Sequence, residues 1–325
     1  MRMRIALMDD YQHVALTSAD WSRLPADCRV EVFHDSVTDV DALAQRLEDF
    51  EIVMALRERA PFPAALLERL PKLKMIASVG PRNAAVDVAA ATRLGIIVTF
   101  TSGGPDSTSE LTWGLILCLA RHIPEEHAAL RSGSWQTTVG LELAGRTLGV
   151  IGLGHIGGRV ATVGKAFGMR VVAWSANLTE ARCQEIGAEK VSLERLLETS
   201  DMVTIHTRLS DRTRGLLGAK QLAMMKPTAY LINTSRGPIV DRTALLEALR
   251  AKRIAGAGLD VFDKEPALDD PLVHLSNVVV TPHLGYVTAD VLKAFYGQTL
   301  ENILAYLEKG RPDNVLNPEV LGNIR

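Results

Sequence analysis

Short apolar runs, rich in β-branched residues, alternate with amphipathic segments along nearly the whole chain, and this alternation limits the fold more than any other feature. The runs are 4–8 (RIALM), 29–33 (RVEVF), 51–55 (EIVMA), 74–79 (KMIASV) and 96–100 (IIVTF). After a long helical stretch come 147–152 (TLGVIG), 170–174 (RVVAW), 202–206 (MVTIH), 229–234 (AYLINT), 256–261 (GAGLDV) and 278–282 (VVVTP). Strands this continuously apolar are buried on both faces, which requires parallel sheets covered by helices. The expected class is therefore α/β, with two doubly wound parallel sheets. A chain of 325 residues also exceeds one typical core, so two domains are expected.

The domain limits follow from composition. TSGGPDS (101–107) is rich in Gly and Pro and introduces the helix STSELTWGLILCLARHI. TPHLGY (281–286) introduces a last helix running to about Lys309, with Val287, Val291, Phe295, Leu300, Ile303 and Leu307 close to a 3.6-residue period. Residues 1–101 with 285–325 should form one domain, and 102–284 a second domain inserted into it.

Charge and cysteine usage exclude several function classes. A net charge of −2 supplies no broad attraction for nucleic acid or an anionic membrane. Cys28, Cys118 and Cys183 form no CxxC pair, the histidines show no metal-ligand spacing, and no metal is expected. The first apolar run is too short for a signal-peptide core, and the longest, LTWGLILCLA (111–120), is about half the ~20 residues that span a bilayer. A cytoplasmic protein is expected.

GLGHIG (152–157) follows one strand and opens a helix. This G-x-G-x-x-G context predicts a dinucleotide-phosphate loop, with Gly152, Gly154, His155, Ile156 and Gly157 around the pyrophosphate. A glycine-rich turn with no ligand is the bland alternative. Three polar residues follow strands further on: Arg236 in NTSRGPIVD, Glu265 in LDVFDKEP and His283 in VTPHLG. Ligands of open parallel sheets bind beyond the carboxyl ends of strands, so the three can share one crevice. Each taken alone also reads as a structural surface residue.

Taken together, LGVIGLGHIG, MMKPTAYLINTSRGPIVDRTALLEALR, IAGAGLDVFDKEP and NVVVTPHLG closely resemble the D-isomer-specific 2-hydroxyacid dehydrogenase family. The resemblance runs from about Lys72 to Pro318. It implies a Rossmann nucleotide-binding domain inserted into a flavodoxin-like substrate domain. It also implies reduction of a 2-keto acid to a D-2-hydroxy acid with NAD or NADP. Arg236 is then the carboxylate-binding residue, His283 the proton donor and acceptor, and Glu265 its partner. Asp260 is implied to contact the nicotinamide amide, Thr234 joins the cofactor set, and Gly80 belongs to the loop whose amides bind the substrate carboxylate. The family likeness of the helix 107–121 implies a homodimer.

Four positions depart from the family pattern. Arg82 stands where many members have glycine; it reads equally as a second carboxylate contact or as an ion-pair partner. Tyr286 replaces a small residue, either narrowing the pocket towards glyoxylate or hydroxypyruvate or packing as core. Ser175 stands where NAD-preferring members carry the ribose-binding aspartate. Arg208 replaces a proline and offers a cation for a 2′-phosphate. The missing carboxylate and the added cation favour NADP(H), while Ser175 and Asn177 as uncharged ribose ligands would suit NAD. A nucleotide-sensing, co-repressor-like interaction protein is the rival reading. Phosphoglycerate dehydrogenase is a third.

Overall fold

The structure is a computed structural model that describes residues 3–81, 83–103 and 106–323. The chain divides into two compact units, Met1–Gly104 with Thr288–Arg325, and Pro105–Val287. Arg82 lies outside the described residues.

The first unit is built on a five-stranded parallel sheet of β1 (Met3–Leu7), β2 (Cys28–Val32), β3 (Ile52–Ala55), β4 (Met75–Ser78) and β5 (Ile97–Thr99). Their spatial order is β2-β1-β3-β4-β5, the flavodoxin-like order. Every residue of β3 and β4 is buried, whereas the edge strand β2 is not. That contrast is what helices on both faces of a sheet produce. The edge of β5 is closed by the C-terminal segment. Leu316 N donates to Val98 O (2.7 Å), and buried Asn317 accepts from Val98 N (2.8 Å) and donates to Ile96 O (2.9 Å). Pairing the edge this way removes its exposed backbone donors and acceptors. The last helix, Ala289–Lys309, buries Val291, Phe295, Leu300 and Ile303 of the expected stripe, starts at a Thr288 cap and stops at Gly310, where φ is +71°.

The second unit carries seven parallel strands: β6 (Thr147–Ile151), β7 (Arg170–Trp174), β8 (Glu189–Lys190), β9 (Met202–Ile205), β10 (Tyr230–Asn233), β11 (Gly256–Leu259) and β12 (Val278–Val280). The order β12-β11-β10-β9-β6-β7-β8 is a doubly wound Rossmann sheet whose direction of winding reverses at β6. The added strand β8 is two exposed polar residues at the edge. The helix expected through Ile123 ends at Arg121, because His122 adopts φ +51° and Pro124 starts a new helix, Ile123–Arg131. The apolar face of the first of these helices packs on its own sheet, against β10, β11 and β12. Among the described residues no helix is long and apolar enough to cross a membrane, and no cluster of ligating side chains could hold a metal.

Asp9, just after β1, is fully buried with φ +60°. Burial pushes its carboxyl up to about 6, against the opposing charge of Arg59. Because the folded-state value lies above the ordinary 3.8, the fold is favoured fully below about pH 4 and loses that advantage as pH rises through about 6. Above that, the buried charge costs up to about 3 kcal/mol. Asp9→Asn keeps the shape and tolerates a positive φ. It should raise the unfolding free energy by 1–3 kcal/mol (roughly,) in urea at pH 8, and hardly at all at pH 4. A gain of equal size at both pH values would remove the buried charge as its cause.

Candidate active site

The glycine-rich turn after β6 is shaped by close approaches that leave no room for side chains. Gly152 has φ +97°, and a Cβ there would stand 2.7 Å from the carbonyl group of His206. A Cβ on Gly157 would stand 2.0 Å from Gly152 O. Gly154, which caps the helix His155–Ala166, instead faces open space. Among the described residues, no acceptor takes up the N–H of Gly154 or His155. Free amides at the positive end of a helix, beside an uncrowded glycine, fit a pyrophosphate. The His155 side chain is exposed, with Nε2 3.5 Å from Asp106 Oδ1, which Arg159 also approaches at 3.2 Å. Ile156 packs against the core beneath the turn.

Ser175 and Asn177 lie just past β7, where Ser175 O accepts from Leu178 N (3.1 Å) to close a tight turn. Arg208 is exposed past β9, its carbonyl held by Thr213 Oγ1 (2.6 Å). Strands β7 and β9 pair with opposite sides of β6. Ser175 and Arg208 therefore flank the phosphate turn from two sides, about 10 Å of sheet apart, and are not brought together.

Arg236, Glu265 and His283 follow β10, β11 and β12, three neighbouring strands. Asn233, the last residue of β10, shapes the first turn: its Nδ2 donates to Arg236 O (2.9 Å) and its Oδ1 accepts from Ser235 N (3.0 Å). Arg236 Nη1 donates to Ser235 O (2.7 Å). Thr234 is buried and shares a hydrogen bond with Thr112 Oγ1 (2.9 Å), tying β10 to the helix behind it. Glu265 Oε1 accepts from Phe262 N (2.9 Å), and its Oε2 lies 2.7 Å from His283 Nδ1. With Nδ1 engaged, Nε2 is the nitrogen left to exchange a proton with a ligand.

His283 adopts φ +55°, a conformation that a non-glycine residue holds only when its surroundings impose it. Asp260 does so. Its carboxylate accepts from Thr281 Oγ1 (2.6 Å), Leu284 N (2.7 Å) and Gly285 N (2.9 Å), while its backbone O accepts from His283 N (2.9 Å). Burial raises the Asp260 carboxyl above its ordinary value, and the hydrogen bonds from Thr281 and Leu284 oppose that. The Asp260 carboxylate is fully buried and faces the turn 281–285. Gly285 O is held in addition by Ser107 Oγ (2.8 Å) and Thr108 Oγ1 (2.9 Å). Tyr286 is buried, with its ring edge-on to His283 at 5.6 Å.

In the first unit, Gly80 has φ +91°, and its N–H donates to Thr101 Oγ1 (3.0 Å). This bond ties the start of the loop to the segment after β5.

An asparagine at 260 offers one acceptor oxygen where the aspartate offers two, and sets an NH₂ against a backbone N–H. Asp260→Asn should lower stability by about 1–3 kcal/mol and reduce kcat by displacing His283, measured by urea unfolding and initial rates. Wild-type values for both would mean that the turn holds itself.

Residues 113–285 match the family described as "D-isomer specific 2-hydroxyacid dehydrogenase, NAD binding domain". The chain is 39% identical over 300 residues to a glyoxylate reductase of Thermococcus litoralis, covering 89% of this chain and 87% of that one. It is 43% identical over 267 residues to a glyoxylate reductase of Aeropyrum pernix, covering 79% and 80%. A phosphoglycerate oxidoreductase structure from Vibrio cholerae superposes with a TM-score of 0.89 at 36% identity, covering 94% of this chain and 99% of the other. The chain belongs to the D-isomer specific 2-hydroxyacid dehydrogenase family, and its residues 113–285 form the part that binds a nicotinamide dinucleotide.

Proposed function

We propose that the protein reduces a small 2-keto acid of the glyoxylate or hydroxypyruvate type to the D-2-hydroxy acid. The observation that carries this reading is the 2.7 Å His283–Glu265 pair, one strand away from Arg236 on the same edge of the sheet. Arg236 presents a fixed fork of N–H donors to the substrate carboxylate and draws electron density from the adjacent carbonyl. His283 gives its proton to the keto oxygen, and Glu265 orients the ring through Nδ1. The bound nicotinamide supplies the hydride. The free amides of Gly154 and His155 meet the pyrophosphate, Gly152 and Gly157 shape the turn that presents them, and the buried Tyr286 beside His283 favours small acids over bulky ones.

The preferred cofactor in this reading is NADPH. Support comes from Ser175 at the end of β7, where no carboxylate stands to repel a 2′-phosphate. The protein acts as a homodimer. Leu130, Trp135 and Val139 are 58%, 76% and 93% exposed, apolar area on one short stretch of chain that suits a second copy. Sedimentation should give twice the chain mass, and Trp135→Asp with Val139→Asp should return the monomer.

Initial rates with NADPH and NADH, each with glyoxylate and hydroxypyruvate, test the activity. NADPH should be preferred, and Ser175→Asp should reverse the preference. Arg236→Ala should lower kcat/KM for the keto acid about 100-fold or more, with dinucleotide affinity within about twofold of wild type. Unchanged keto-acid kinetics would remove Arg236 from the site, and Arg208→Ala losing NADPH and NADH equally would remove Arg208 from phosphate recognition.

A further inference from the structure

We propose that Arg182 is a positioning residue of the phosphate turn, acting through the turn's carbonyls; the inference rests on the dinucleotide reading above. Arg182 lies on the helix Glu180–Ile186, which follows β7. Its Nε donates to Leu153 O (3.1 Å) and its Nη2 to Gly154 O (3.1 Å). Its Nη1 pairs with Glu185 Oε1 (2.7 Å), so the guanidinium is anchored from behind while its fork grips two consecutive peptide groups.

The consequence follows from peptide geometry. In a trans peptide the C=O and N–H point in opposite directions. Holding the carbonyls of Leu153 and Gly154 on the Arg182 side therefore turns the N–H groups of Gly154 and His155 to the other side. These are the two amides without an acceptor among the described residues. Gly154 O also accepts from Gly158 N (2.9 Å), the first bond of the helix, so Arg182 reinforces that hold and adds its own at Leu153 O. It thus presets the donors that meet the pyrophosphate before the dinucleotide arrives.

Gly158 gives a second, independent sign of this design. It lies outside the G-x-G-x-x-G pattern, yet it is buried, and a Cβ there would stand 2.7 Å from Arg182 Nη2. A glycine inside a helix costs about 1 kcal/mol relative to alanine. Here it leaves the space in which the guanidinium sits.

The test is binding of NADH, NADPH and ADP-ribose by calorimetry to wild type, Arg182→Ala, Arg182→Lys, Gly158→Ala and the Arg182→Ala/Gly158→Ala pair. Arg182→Ala should weaken all three ligands by roughly tenfold or more, since all three carry the pyrophosphate. The keto-acid KM at saturating dinucleotide should be unchanged. Gly158→Ala, by displacing the guanidinium, should weaken binding similarly in wild type and add nothing in the Arg182→Ala background. Arg182→Lys, which keeps the charge but loses the fork, should not restore affinity. Binding within twofold of wild type for Arg182→Ala, or additive losses in the pair, would overturn the proposal even if the melting temperature falls. A wild-type protein that bound none of the three would overturn the dinucleotide reading, and this proposal with it.

Discussion

The buried carboxylate of Asp260 is the interaction on which the geometry of the His283 turn depends. Strand β11 ends at Leu259, and the next residue turns a negative charge inward onto two backbone N–H groups and one hydroxyl of the turn after β12. A buried carboxylate is costly unless its oxygens are satisfied, and here each accepts at least one donor. In return, the turn that carries His283 is held in a left-handed conformation that its own residues would not choose. Glu265, five residues further along from the same strand, then meets an imidazole whose position is already set. Imidazole, carboxylate partner and support thus come from one strand end and its neighbour.

The parallel sheet makes this arrangement possible. All seven strands run the same way, so the segments after β6, β7, β9, β10, β11 and β12 emerge along one edge. Winding reverses at β6, and the phosphate turn sits at that reversal, where the neighbouring connections leave on opposite faces. The polar residues of β10–β12 occupy one stretch of the edge, and Ser175 the other. One fold rule therefore separates the Arg236, Glu265 and His283 stretch from the Ser175 stretch.

Much of this was legible in the sequence. The strands of both sheets are apolar enough to stand out by composition, and the order of the phosphate turn, Arg236, Glu265 and His283 along the chain carried the family likeness. Other features left no readable pattern. Strand β8 is Glu189–Lys190, two exposed polar residues with no apolar signal. His122 breaks a helix through its backbone conformation, which its type does not announce, although Pro124 two residues later was a usable signal. Asp260, Asn233 and Arg182 act on backbone groups of turns, and such partners have no identity in a sequence. Gly158 was the one visible trace of Arg182, a glycine in excess of the motif.

Strand order also decides how Ser175 and Arg208 are read. In sequence strands β8 and β9 separate them; in space β6 lies between the strands they follow. Arg182 is a cation on the Ser175 side, but three of its five N–H donors are committed to Leu153 O, Gly154 O and Glu185. Its charge is also partly offset by that glutamate. In the proposed reading, what this edge offers a 2′-phosphate is the absence of a carboxylate at Ser175 together with the field of the Arg182 and Arg208 charges, rather than a dedicated clamp. Such a field is screened over about 8 Å at physiological salt. A preference for NADPH that arises this way must weaken as ionic strength rises, whereas a direct guanidinium–phosphate fork would hold its selectivity far better.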